Sequence, residues 1–597
     1  MCGIFGLLFN RPLTAADIAL GRAGTAALAH RGPDGDGEWM DADKGVFFGH
    51  RRLSIIDLGD GGSQPMHRDN SVLTYNGELY NYRALRTALA QEGVRCSSQS
   101  DTEVLLRALT QWGEGAFDRF DGMFALALWD GRRATLAVDP FGEKPLYYAA
   151  TSDGVYFSSE IAPLAKLLGL KPHFDDEAWA TYLSLGYIPA PKTAYRDIRR
   201  LEPASVMKVE GGAVRPTTRY WSPPWRDLDA SPPTGPVRPI PEAGVDALRD
   251  ALLESLEGRL IADVPIALFL SAGIDSALVA ALCRQGLGRT LNCLTVAFPI
   301  GDIVDECDAA TAIAAHLGLP HEVLDNRVDR QAAGIERVVD LMGQPSGNTG
   351  VLPVDQLCAA AAQTYKVGLT GLGGDEVTWG YGKNQTYWRW RHVFGLPDGA
   401  RGLLGGVAKA VGGRAARFGA RMAPPSRELY LANKNFPALG WLKTLPGFDA
   451  WTATFGDGGT PLEYAVPLFD LQQVMPNMQL PAFDHASMRH GLELRTPFLN
   501  RKVIETVAEF DPRALLAFGQ KNLLRRLLSR YLPAELYDRP KSGFSFPEEF
   551  IVDAAARPEI PAGLPEPVVE ALWRRRADPG AWRSIAVRLM AATITRE

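Results

Sequence analysis

Residues 223–244 read "PPWRDLDASPPTGPVRPIPEAG". Proline fixes φ and carries no N–H, so a stretch this rich in it continues neither a helix nor a central strand. It divides the chain into two separate folding problems, and the patterns on its two sides differ. Before it come short apolar runs broken by turn residues: "GVFFGHRRLSII", "SVLTYNGELYN", "MFALALWD", "ATLAVD" and "GVYFSSE". These predict hairpins and stacked sheets, with helices at "LRTALAQEG" and "TEVLLRALTQWG". After it, strand and helix patterns alternate through "PIALFLS", "DSALVAALCRQ", "NCLTVAF", "DAATAIAAHLG" and "KVGLTGL". Alternation of that kind predicts a parallel sheet covered by helices. The expected division is a first domain over 2–210, a linker over 211–240 and a second domain over 241–597. No element is assigned across 385–470, which is rich in Gly, Arg and Trp.

Composition narrows the function classes. At 597 residues the chain exceeds what one core serves. A net charge of -6 gives no electrostatic footprint for nucleic acid. No apolar run reaches the ~18–20 residues that span a bilayer, and no signal-peptide pattern is visible. The six cysteines, Cys2, Cys96, Cys283, Cys293, Cys307 and Cys358, show no CxxC spacing. A reducing, cytoplasmic location is therefore expected.

Cys2 directly follows the initiator. A methionine before so small a residue is ordinarily removed, which would leave a thiol and a free α-amine on one residue, a nucleophile with its own base. Four polar segments follow: "HRGPDG" (30–35), "GHRRLSIID" (49–57), "YNGELYNY" (75–82) and "SDTEVLL" (100–106). Each alone has a structural account, NG as a turn and SDTE as a helix cap. Together with Cys2, and with "FDGMFALALWD", "DPFGEKPLYY" and "FSSEIAPL", they resemble the glutaminase domain of class II glutamine amidotransferases. That resemblance implies an N-terminal nucleophile (Ntn) αββα sandwich. It implies attack by Cys2, with Asn76 and the Gly77 amide as the oxyanion hole. Glutamine's α-carboxylate would be held by Arg52, the arginine directly before "LSI", and its α-ammonium by Asp101 and the Glu78 region.

In the second half, "LFLSAGIDSALV" ends a predicted strand and opens a helix, and small residues at 271–273 let backbone amides crowd a phosphate. The segment resembles the pyrophosphate loop of ATP pyrophosphatases, with Ala272 replacing a glycine. A second loop, "LTGLGGDEVTWGY" (369–381), also follows a strand, so both loops would lie at the carboxyl edge of the sheet. Together with "FDHASMRHGLELRTPFLNRKVIE" and "RPKSGFSFP", the chain as a whole resembles glutamine-hydrolysing asparagine synthetases. The resemblance implies a Rossmann-like ATP-pyrophosphatase domain with extra helices. Its ATP site would comprise Leu270, Ser271, Gly273, Asp275, Ser276, Val296 beside adenine, Thr370 and Gly371. Mg²⁺ would be held by Asp275 and Asp375. Lys541 would steady the α-phosphate, with Lys521 the weaker candidate. ATP would activate a carboxylate as an acyl-adenylate, and ammonia released from glutamine would cross an internal tunnel to displace AMP.

Three departures bear on the acceptor. Leu372 stands where the family has a glutamate, "MGQPSGNTGVLP" (342–353) replaces the family's acidic loop, and Asn500 replaces an aspartate in "PFLD". Aspartate and a larger or less polar carboxylic acid are therefore equal alternatives as substrate. A glutamine- or ATP-sensing relative without catalysis also stays open, as does a ligase with an idle first domain. A homodimer is compatible with the reading.

Overall fold

The computed structural model describes residues 1–173, 176–225, 234–297, 306–325, 334–411 and 460–538, with the single positions 413, 415, 419 and 591. The first domain opens with β1 (Cys2–Phe9), α1 (Ala15–Ala26), β2 (Gly35–Asp41), β3 (Val46–Arg52), β4 (Met66–Arg68) and β5 (Ser71–Leu79). It continues with α2 (Tyr82–Gln91), α3 (Asp101–Trp112), β6 (Gly122–Trp129), β7 (Arg133–Val138), β8 (Tyr147–Ala150), β9 (Gly154–Ser158) and α4 (Ile161–Leu167). Helix α5 (Asp176–Leu185) and strands β10 (Ile198–Arg200), β11 (Ser205–Glu210), β12 (Ala213–Val214) and β13 (Thr218–Arg219) complete it.

Two antiparallel sheets result, in the orders β10-β8-β9-β1-β3-β2 and β12-β11-β7-β6-β5-β4, with β13 paired to β11. Strand parity explains their stacking, since alternate side chains point to opposite faces. In β1, Ile4 and Leu8 join Phe48 of β3 and Val72 of β5 in a buried layer between the sheets. Phe5, Leu7 and Phe9 point the other way, into the core that includes Leu28 after α1 and Leu164 of α4. In β5, Leu73 and Tyr75 pack beneath α2 and α3 with Leu85, Leu105 and Leu109. The layers therefore run helix, sheet, sheet, helix, the expected αββα sandwich. Strands β12 and β13 fall inside the stretch expected to be linker, so the second sheet continues past residue 210.

The second domain holds α6 (Glu242–Arg259), β14 (Ile266–Phe269), α7 (Ile274–Ala281), β15 (Asn292–Ala297), α8 (Glu306–Leu317) and β16 (His321–Asp325). Helices α9 (Ile335–Met342) and α10 (Val351–Ala361) and strands β17 (Val367–Leu369) and β18 (Glu493–Arg495) follow. The five strands are parallel, in the order β16-β15-β14-β17-β18. The order reverses between β14 and β17, which creates a crevice beyond their carboxyl ends where open α/β sheets take ligands. Among the described residues no helix is long and apolar enough to cross a membrane.

Phe157 of β9 is fully buried between the stacked sheets, its ring edge-on to Phe48 at 5.6 Å between centroids. Phe157→Ala should remove about 3–5 kcal/mol from the first domain. A lower urea midpoint at unchanged slope would show it. A loss below ~1 kcal/mol would contradict the packing described.

Candidate active sites in the two domains

Strand parity also places the first site. Cys2 shares the inner face of β1 with Ile4 and Leu8, and its direct partner in β3 is Arg52. Arg52, not Arg51, therefore faces the second sheet; Arg51 reaches outward to Asp36 at 3.4 Å. Asn76 and Glu78 lie on the inner face of β5 by the same count, in step with Val72 and Thr74. The Cys2 N–H donates to Asn76 Oδ1 at 2.9 Å. Asn76 Nδ2 is buried and meets no hydrogen-bond partner among the described residues. A buried, unanswered amide donor beside a thiol is what an oxyanion site requires.

Gly77 is required by close approach. A Cβ there would stand 2.1 Å from the Met123 carbonyl oxygen of β6. Arg52 donates to the carbonyls of Gly59, at 2.7 Å, and Asp57, so the loop after β3 folds around its guanidinium. Asp101 begins α3 behind the cap Ser100, whose side chain accepts from Thr102 N–H at 3.1 Å. Its carboxylate accepts from Leu79 N–H at 3.0 Å and from the Tyr75 hydroxyl. Burial pushes the Asp101 carboxyl up despite those donors. Burial also pushes Glu78 far up, helped by the nearby charges of Glu493 and Asp101. It raises the Cys2 thiol as well, against the lowering pull of the N-terminal ammonium.

Met1 holds a place the sequence did not foretell. Its ammonium lies 2.9 Å from Glu493 Oε2 of β18, with both groups fully buried. Arg495 of the same strand donates to Glu493 at 2.5 Å and approaches Glu78 to 3.9 Å. The second domain's edge strand therefore ends beside Cys2.

At the second site, the loop from Leu270 to Ser276 closes on itself. Ser276 Oγ accepts from Ser271 N–H at 3.1 Å and lies 2.9 Å from Ser271 Oγ, while Gly273 N–H donates to Ser271 Oγ at 3.2 Å. Ala272 keeps φ negative, so it substitutes for a glycine without strain. Leu270 N–H donates to Leu294 O at 2.9 Å, tying the loop to β15, where Val296 is half-buried two residues further on. Thr370 N–H donates to Arg495 O at 3.0 Å. The second loop presses directly on the first: a Cβ on Gly371 would stand 2.6 Å from Ser276 N.

This approach brings Asp275 and Asp375 around one cation. Lys521 Nζ pairs with Asp275 and lies 3.0 Å from Asp375. Burial lowers the Lys521 ammonium, but the two carboxylates outweigh it and leave it raised. Lys521, expected to be the weaker of two lysines, thus sits at the centre of the site. It adopts a left-handed φ of 53° just before the helix Asn522–Leu528. Lys541 lies outside the described residues. Sequence reasoning undervalued Lys521 because only folding brings it to the two loops; its place directly before a helical run was the one local signal.

Two departures acquire structural accounts. Asn500 is the N-cap of the helix Arg501–Ala508 and accepts from Val503 N–H at 3.2 Å. Asn caps a helix as well as Asp does, so this exchange bears on capping. Leu372 is half-buried against the apolar core of the second domain. Four residues on, Glu376 is buried and accepts from the Tyr381 hydroxyl at 2.5 Å; burial raises its carboxyl to about 7.

Comparison with known proteins matches both halves in this order. A family model described as a glutamine amidotransferase domain matches residues 1–221, and one described as asparagine synthase matches residues 247–560. The Mycobacterium tuberculosis protein named "Putative asparagine synthetase (glutamine-hydrolyzing)" is 32% identical, covering 92% of this chain and 88% of its own. Asparagine synthetase (glutamine-hydrolyzing) 1 of Bacillus subtilis is 28% identical, over 92% of this chain and 87% of its own. The protein named amidase chry2 of Gibberella zeae is 27% identical, over 88% of this chain and 84% of its own. A sandwich with Cys2 at its seam and a parallel sheet with paired carboxylates at its switch point are thus the two parts of one enzyme: the chain belongs to the glutamine-hydrolysing asparagine synthetase family, the glutamine-dependent, ATP-using ligases.

Proposed function

We propose that this ligase adenylates a carboxylic acid in its second domain, with release of pyrophosphate, and then forms the amide with ammonia freed from glutamine in its first. The unanswered Asn76 Nδ2 beside Cys2 is the observation that carries the glutamine half. Removal of Met1 would free the Cys2 amine to take the thiol proton, with Asn76 Oδ1 in reach of that nitrogen. The thiolate attacks the side-chain amide, and Asn76 Nδ2 with the Gly77 N–H receives the oxyanion. Arg52 supplies a fork for the α-carboxylate, and Asp101 and Glu78 are the groups assigned to the α-ammonium, whose charge would favour their ionised forms.

For the ATP half, the amides of 271–273 and the start of α7 form the phosphate cradle. Asp275 and Asp375 would hold Mg²⁺, since their carboxylates already share one cation, the Lys521 ammonium. Bound there, Mg²⁺ would neutralise phosphate charge. Lys521 supplies a further positive charge at that point.

The acceptor reading rests on the resemblance, which puts loop 343–350 beside the acid. Loop 343–350 offers Ser346, Asn348 and Thr349 and no ionisable side chain, so it favours an acid recognised through neutral polar groups. Leucine at 372 takes no proton. Glu376, buried four residues on and bound by the Tyr381 hydroxyl, is the carboxyl of this loop assigned to take the proton that ammonia attack releases.

Cys2→Ala should abolish glutamine-dependent amidation and spare the ammonium-dependent reaction. Asn76→Ala should lower glutamine turnover by about 10²–10³-fold. Glutamate release by Cys2→Ala at the wild-type rate would refute the nucleophile assignment.

Asp275→Asn and Asp375→Asn should each remove pyrophosphate release while glutaminase survives. The assay is a pyrophosphate screen over carboxylic acids, aspartate included, with glutamine and with ammonium. Aspartate turnover of ~1–10 per second would refute the altered acceptor. Pyrophosphate release by both variants at the wild-type rate would refute the adenylation site.

A further inference from the structure

Arg31 is fully buried, and each of its guanidinium nitrogens is engaged. Nε donates to the Cys2 carbonyl oxygen at 3.1 Å. Nη1 donates to Glu160 at 3.0 Å, and Nη2 donates to Asp484 at 2.9 Å. Lys144 Nζ reaches Asp484 at 3.2 Å, and His30 Nε2 lies 2.9 Å from Glu160. Burial alone would raise both carboxylates; His30 and then Arg31 at Glu160, and Arg31 and then Lys144 at Asp484, hold them below the usual range. An arginine fixed this way cannot shift without stranding a buried charge.

Both carboxylates lead to the loop between α9 and α10, the proposed acceptor wall. Asp484 lies on the helix Leu480–Met488, which packs against α9 and α10. Glu160 directly precedes Ile161 of α4, and Ile161 meets the loop itself. Gly343 has a left-handed φ of 62°, and a Cβ on it would stand 2.5 Å from Ile161 Cγ2. Two further contacts clamp the loop to the first domain: Gly347 N–H to Gly186 O at 2.7 Å, and Ala194 N–H to Gln344 Oε1 at 3.2 Å.

We infer that the synthetase domain positions the glutaminase nucleophile through Arg31, with Asp484 and the Gly343 turn as positioning residues for Cys2. The inference rests on the reading of Cys2 as nucleophile. It follows that a substrate which displaces loop 343–350 alters the rate at Cys2, although the two chemistries occupy separate domains. A coupling claim needs a perturbation applied at one end and read at the other.

The test measures glutamate release from glutamine by the full chain, without ATP or acid, per folded protein. Asp484→Asn and Gly343→Ala both lie in the synthetase domain. Each should lower kcat on the order of 10–100-fold, the scale of a small misplacement of reacting groups. The KM for glutamine should stay within about twofold, because the glutamine-binding groups are untouched. Ile161→Ala added to Gly343→Ala removes the obstructing methyl and should restore part of the rate, since the left-handed φ still strains the alanine. Wild-type kcat in either single variant, or failure of Ile161→Ala to restore Gly343→Ala, overturns the inference. If Asp484→Asn does not fold, the Gly343 and Ile161 variants decide alone. Glutamate release that survives Cys2→Ala would instead overturn the nucleophile reading beneath it.

Discussion

The structure depends on a set of charges buried where the two domains meet. On one side of Cys2, Arg31 bridges Glu160 and Asp484, with Lys144 beside them. On the other, Arg495 joins Glu493 and approaches Glu78, while its Nη1 donates to the carbonyls of Arg259 and Ile261 at 2.7 and 2.8 Å. Desolvating so many ions is costly, and good geometry returns little net stability. What it does is fix one arrangement, because any slip leaves a charge unpaired in low dielectric. Cys2, the proposed nucleophile, and β18, an edge strand of the parallel sheet, are held in one register by it. Tyr80 is sandwiched at the same junction, with Arg259 4.3 Å and Arg495 5.6 Å from its ring centre.

That constraint makes sense of how short the functional elements are. Strand β18 is three residues long, yet its Glu493 reaches the N-terminus and its Arg495 carbonyl holds Thr370 of the second phosphate loop. One short strand thus touches both sites. Glu78, Tyr80 and Glu143 are buried at the same junction, and Glu78 Oε2, the Tyr80 hydroxyl and Glu143 Oε1 meet no hydrogen-bond partner among the described residues.

Much of this was legible in the sequence, and for identifiable reasons. Strands β5, β6, β7 and β9 alternate or run apolar beside clear turns, so periodicity alone located them. Candidate site residues such as Asn76 and Asp275 stand out in the sequence because motif and element coincide there. Strand β18 was missed because "ELR" is charged; it is buried only by virtue of partners hundreds of positions away. Strands β12 and β13 were taken for linker because two-residue strands carry no period. Lys521 carries little local signal for a related reason: a turn brings it to two distant aspartates. Asn500 gains a structural role that its motif does not announce, as the cap of the helix Arg501–Ala508.

The central claim is that one chain frees ammonia at Cys2 and consumes it at the ATP site without losing it to solvent. The most direct measurement supplies glutamine labelled with ¹⁵N in its side-chain amide, ATP, Mg²⁺ and an accepted carboxylic acid, in a bath of unlabelled ammonium. Mass spectrometry of the amide product reads the source of its nitrogen. The account predicts a product that carries the label with little dilution at ammonium concentrations matching glutamine. A product whose label falls to the bath's ratio would contradict it, since the ammonia would then have passed through bulk water between the two sites.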